Sequence, residues 1–175
     1  MDESLIRFPN LERVLEQYAI EFRNTYQDSL ITNDRIASGD LLNSVDYIIE
    51  KGNNQYTVSL KLKDYYYFVE YGRKPGKYPP PDAMLRYVQI KPVLPRPMKN
   101  GKLPTEKQLA FLIGRKIARE GTEGSKDLQK TATNINTKFI PLFYDAIDKD
   151  IDGIAVTIFN NFSNPKWNWT LSDYQ

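Results

Sequence analysis

Among the side chains able to do chemistry, one run has the spacing of a metal loop. In Asp148-Lys149-Asp150-Ile151-Asp152-Gly153 carboxylates fall at the first, third and fifth positions and a glycine at the sixth, the opening half of a calcium-binding loop. The twelfth position must then supply a bidentate carboxylate, and here it is Phe159. The surrounding apolar residues also recur at helical steps, so a solvated acidic helix face is the better reading. Asp46 and Glu50 share one face of a predicted strand, but catalytic carboxylate pairs need burial and a facing partner, and the sequence shows neither. Gly72, Gly76, Gly101 and Gly114 are too scattered to cradle a phosphate, and no Walker loop or dinucleotide fingerprint is present.

The 175 residues include no histidine and no cysteine. That excludes imidazole acid–base catalysis, Ser–His triads, thiolate metal sites and a disulfide scaffold. The chain is instead rich in tyrosine, 12 among 22 aromatic residues, and in proline, with 11. Tyr65, Tyr66, Tyr67, Tyr71 and Tyr78 have the chemistry to stack on bases. A half-buried aromatic face against another element or another subunit is the commoner use, and tyrosine with arginine is enriched in protein interfaces. Composition therefore favours interaction over catalysis.

Charge is uneven behind a net +2. Residues 1–50 hold 4 basic and 10 acidic side chains, net −6, whereas residues 73–116 hold 11 basic and 2 acidic, net +9. Such a pair of blocks fits nucleic-acid contact, and equally an interface in which one subunit's basic segment meets a neighbour's acidic face. No apolar stretch approaches the roughly 18 residues of a membrane span. The acidic start Met1-Asp2-Glu3-Ser4 lacks the layout of a signal peptide, so a soluble protein is expected.

The elements that must position these residues follow from periodicity. Leu11, Val14, Leu15, Tyr18, Phe22, Tyr26 and Leu30 form the stripe of an amphipathic helix of about 20 residues, started by Pro9-Asn10. A short helix through Ile36, Leu41 and Leu42 follows. The period then changes to two: Val45, Tyr47 and Ile49, and after Gly52-Asn53-Asn54 the set Tyr56, Val58, Leu60 and Leu62, predict a β-hairpin with one face on the first helix. Asp64 to Arg73 is either a third strand or a short helix capped by Asp64 and closed by Gly72. Pro81-Asp82 predicts a short helix. Lys91 to Pro104, with Pro92, Pro95 and Pro97, predicts an extended basic arm. Thr105 caps a helix ending near Gly121, and a last helical region runs from about Lys126 to Phe162, bent or broken at Pro141. Trp167 and Trp169 suggest a tail that docks. The expected fold class is α+β, a small antiparallel sheet on a long N-terminal helix with further helices C-terminal. Residues 1–122 hold the α+β part with its arm at 91–104, and residues 123–175 form a helical extension and tail of the same structural unit.

The order of these segments resembles a known family. Ser38-Gly39-Asp40-Leu41-Leu42-Asn43-Ser44 leads into the hairpin, and Tyr67-Phe68-Val69-Glu70-Tyr71-Gly72-Arg73 follows it before a proline-rich helix start. This resembles the tail-completion, or head–tail joining, proteins of tailed bacteriophages. Pro104-Thr105-Glu106-Lys107-Gln108-Leu109-Ala110-Phe111-Leu112-Ile113 and Arg119-Glu120-Gly121-Thr122 resemble the variant in neck proteins of crAss-like phages. The resemblance covers residues 8–122. It implies a structural virion protein, assembled in the host cytoplasm, whose subunits close into a six-fold or twelve-fold ring between portal and tail and line the DNA channel. Implied partners are the chain itself, the adjacent portal, connector and tail proteins, and, transiently, genomic DNA. The resemblance brings no catalytic residue, cofactor, metal or membrane. For such a ring the expected interface or core-organising residues are Tyr67, Val69, Glu70, Tyr71, Gly72 and Arg73, with Arg96, Lys99 and Lys102 on the arm. The alternative is a nucleic-acid-binding module using Arg73, Lys74, Lys77, Arg96, Lys99 and Lys102.

Overall fold

Pro9 has no N–H to leave unpaired, so it opens helix α1 (Pro9–Thr32) at no hydrogen-bond cost. A computed structural model describes residues 7–35, 38–52, 55–91, 93–99 and 101–162. In it the α1 stripe is buried at Val14, Tyr26 and Leu30 and half-buried at Leu11, Leu15, Tyr18 and Phe22, and Ala19, outside the stripe, is buried too. After the short helix α2 (Asp40–Ser44), strands β1 (Asp46–Lys51) and β2 (Tyr56–Lys61) pair antiparallel with Tyr47 opposite Leu60 and Ile49 opposite Val58. The hairpin forms as the period of two predicts and β2 alternates, whereas in β1 Tyr47, Ile48 and Ile49 are all half-buried; Asn53 and Asn54 of the turn, like Ile36, lie outside the described residues.

Asp64 to Arg73 resolves as helix, not strand: α3 (Tyr66–Tyr71) ends at Gly72, φ 73°, and no side chain caps its start, so Asp64 is not the cap. Gly72–Arg73 then forms a two-residue strand, β3. Helix α4 (Pro81–Ile90) packs on α5 (Glu106–Glu120), with the 91–104 segment between them free of helix and strand among the described residues. Thr105 and Gln108 close a capping box at the start of α5: Thr105 Oγ1 accepts from Gln108 N–H and the Gln108 side chain accepts from Thr105 N–H. Strand β4 (Thr122–Glu123) returns to pair with β3.

Helix α6 (Asp127–Phe162) is continuous for 36 residues through Pro141. The expected break does not occur. Both Pro141 and Thr137, whose carbonyl loses its helical donor, lie on the exposed face of the helix, where a freed carbonyl is not cut off from solvent. α6 runs antiparallel to α1. Asn10 at one end bonds Asp150, and Asn33 at the other donates to Asp127 at 2.9 Å.

The core lies on two sides of α1. Toward α6, Val14, Ile135, Phe139 and Ala146 are buried, and Tyr18 meets Phe139 edge-on with ring centroids 5.5 Å apart. Toward the hairpin, Tyr26, Leu30, Leu41 and Val45 are buried, with Leu60, Leu62, Tyr66, Val69 and Leu128 packed around them. Each fully buried leucine, isoleucine, valine or phenylalanine among them contributes about 1.5–3 kcal/mol by leaving water. The architecture is thus mixed α+β, predominantly helical, as the sequence predicts. No helix of the described residues is long and apolar enough to cross a membrane.

Candidate functional site

The segment Tyr67 to Arg73 is organised by a backbone crossing. Glu70 is 1% exposed, and its carboxylate accepts two backbone N–H groups from the first turn of α6: Leu128 N–H to Oε2 and Gln129 N–H to Oε1, each at 2.9 Å. A carboxylate at a helix N-terminus satisfies free N–H groups and meets the positive end of the helix dipole. The main chain joins in. Ser125 N–H donates to the Val69 carbonyl (2.9 Å), Lys126 N–H to the Glu70 carbonyl (3.1 Å), and Gly72 and Arg73 pair with Glu123 and Thr122.

Two chains of backbone pass this close only without side chains between them. A Cβ on Gly72 would overlap the Thr122 carbonyl oxygen, and one on Gly124 would overlap the Glu70 carbonyl oxygen. Beside the crossing lie the hydroxyl of Tyr26, buried on α1, and Asp127, which is 3% exposed and bonded to Asn33. Burial, reinforced by the negative charges of Glu70 and Asp127, pushes the Tyr26 phenol well above the ordinary tyrosine range.

The crossing buries Glu70 and turns the other side of α3 outward. Tyr67, Phe68 and Tyr71 are 55%, 54% and 58% exposed, with Tyr67 and Tyr71 rings 4.8 Å apart and the Arg73 guanidinium 5.6 Å from the Phe68 ring centre. Val69 alone of the apolar residues in α3's last turn points to the core. The expected 67–73 cluster therefore splits: Val69, Glu70 and Gly72 hold the fold, Tyr67 and Tyr71 face outward, and Arg73 is half-buried over the Phe68 ring.

No protein-family model, curated protein or solved structure matches this chain.

Arg96, Lys99 and Lys102 are exposed on the 91–104 segment. A turn closes there, with Met98 N–H to the Lys102 carbonyl (2.9 Å) and Gly101 N–H to the Met98 carbonyl (2.8 Å). Met98 sits over Lys107 and Phe111 at the start of α5, the length of that helix (about 20 Å) from the crossing. The acidic and basic blocks do meet inside one chain, through Lys91–Asp34 (2.9 Å) and Arg86–Asp40 (4.0 Å). Trp167 and Trp169 lie outside the described residues.

The Asp148–Gly153 run is helix, and among the described residues no group of acidic side chains could hold a metal ion. Asp148 and Asp152 are exposed, but Asp150 is 4% exposed and does structural work. It accepts the N–H groups of Asn10 (3.0 Å) and Leu11 (2.9 Å) and the Asn10 side-chain amide (2.7 Å), capping α1 from the neighbouring helix. Burial raises its pKa, and these bonds with the nearby Arg13 outweigh that, leaving the carboxyl below the usual range. A solvated acidic face is thus incomplete as a description, because one member of the run is buried. Asp46 and Glu50 are both exposed on β1.

Gly124, Ser125 and Asp127 escaped the sequence reading. Their signal was a second glycine three residues after the α5 stop at Gly121, a spacing with no meaning until it faces Val-Glu-Tyr-Gly.

Proposed function

We propose that this chain is a structural subunit that closes into a ring in the neck of a tailed-phage particle, joining the portal side to the tail around the DNA channel. The observation that carries the reading is the outward aromatic face Tyr67-Phe68-Tyr71, mounted on a helix that Glu70 bonds to the start of α6 and that Gly72 and Gly124 let pack backbone to backbone on the 122–124 segment. Rigid, exposed tyrosines beside an arginine are the residues that carry binding energy at protein interfaces. The order and spacing of the motifs from Ser38 to Thr122 support the same reading. The test is the mass of the purified protein by light scattering across a protein and salt series, alone and with portal or tail partners. A discrete ring is expected. Tyr67→Ser with Tyr71→Ser should leave a folded monomer, and Gly72→Val should reduce assembly by disturbing the crossing itself. A wild-type protein that stays monomeric with every partner overturns the proposal.

The nucleic-acid reading has one observation in its favour: the +9 block coincides with the α4–α5 unit and its loops. It requires DNA affinity that falls steeply with salt, because phosphate contacts release counterions.

A further inference from the structure

Helix α6 is apolar on two faces, and α1 covers only one of them. On the other, Ile140, Tyr144, Ile151 and Ile158 are 51%, 68%, 52% and 49% exposed, and Phe159, 72% exposed, stands beside their end. The four are separated by four, seven and seven residues, so they form one stripe along about 27 Å of helix, and Phe159 extends the apolar surface on the adjoining face at its tip. A helix apolar on both faces belongs inside an assembly, not on its outside. Beyond Asp150, which caps the start of α1, this stripe continues past the end of its partner helix.

A matching surface lies at the opposite end of the molecule. Between the end of α1 with α2 and α3 on one side and α4 on the other runs a groove of about 570 Å³, floored by apolar side chains including Phe68, Met84 and Ile90. Arg35, Arg73 and Arg86 stand along it, with Asp40 paired to Arg86. The α6 stripe carries the opposite charge: Asp148 and Asp152 are exposed beside it, while Lys149 is engaged by Asp145 at 2.6 Å.

The two surfaces cannot meet within one chain. Leu30 lines the groove and Asn10 lies 20 residues away, about 30 Å along α1. Phe159 lies nine residues, about 13 Å, beyond the Asp150 that bonds Asn10, so the stripe's tip is roughly 40 Å from the groove. Opposite ends that complement each other join head to tail between copies, the contact that closes a ring. We infer that the distal half of α6 from one copy seats in the groove of the next, beside its Tyr67–Tyr71 face. This rests on the ring reading and names the contact that would build it.

The absence of native cysteine makes the test clean. In the double variant Met84→Cys/Phe159→Cys, oxidation should give a ladder of disulfide-linked chains on a non-reducing gel, in at least ten-fold greater yield than either single variant. Ile90→Cys replaces Met84→Cys if that variant does not fold. Assembly of wild-type mass without a ladder, or equal cross-linking by Phe159→Cys alone, overturns the α6-to-groove contact and leaves the ring standing. A monomer by light scattering with no ladder under any condition overturns both.

Discussion

At Gly124 the backbone is not left-handed, yet any side chain there would run into the Glu70 carbonyl. Gly76 is the reverse case: φ is +125° and a Cβ would meet nothing within 4 Å. Overpacking against main chain is dearer than a strained φ, because backbone at a crossing has nowhere to move. Gly124→Ala should therefore cost about 3 kcal/mol and Gly76→Ala about 1 kcal/mol, read from urea midpoints. Equal losses would mean that the crossing is not the anchor described above. The motif Val-Glu-Tyr-Gly was visible as a unit in the sequence, but the division of labour within it was not. Glu70 reads as a surface carboxylate until the N–H groups of Leu128 and Gln129, 58 and 59 residues away, are known to face it.

Elements held together by one cap inherit that cap's pH dependence. Asp150 joins α6 to the first turn of α1, and its folded pKa lies below the ordinary 3.8. Its stabilisation is thus present above about pH 4 and lost as pH falls through the lower, folded value. Asp150→Asn should cost about 1 kcal/mol at pH 7 and progressively less below pH 3. Urea denaturation of both proteins at the two pH values decides this; a constant difference would show that the charge of Asp150 does not matter. Local signals served the elements well where structure was local. The α1 stripe, the hairpin alternation and the Thr105 cap are all written within one or two turns of chain. The β3–β4 ladder is two residues long and joins positions about 50 apart, so no window of sequence contains it. Asp150 was misjudged for a related reason: the helical period showed which face it lay on, but not that Asn10 and Leu11 sat opposite.

At the scale of the molecule, charge separates the acidic first fifty residues from the basic α4–α5 unit, with Lys91–Asp34 and Arg86–Asp40 joining them inside the chain. If oppositely charged rims guide subunits together over an apolar contact, the association constant should fall about ten-fold between roughly 0.1 and 0.5 M salt and then level off, because screening removes the Coulombic part alone. Sedimentation or light scattering across that range measures it. Association that strengthens with salt would assign the contact to apolar burial without electrostatic guidance.

Strands β3 and β4 set Arg73 directly across from Thr122, so the chain leaves the body and re-enters it at points about 5 Å apart. Everything between is a closed excursion, and the caps that register α1 on α6, Asn10 with Asp150 and Asn33 with Asp127, lie outside it. Helices α4 and α5 thus hang from that doorway as a folded-back flap, latched to the body by Lys91–Asp34 and Arg86–Asp40.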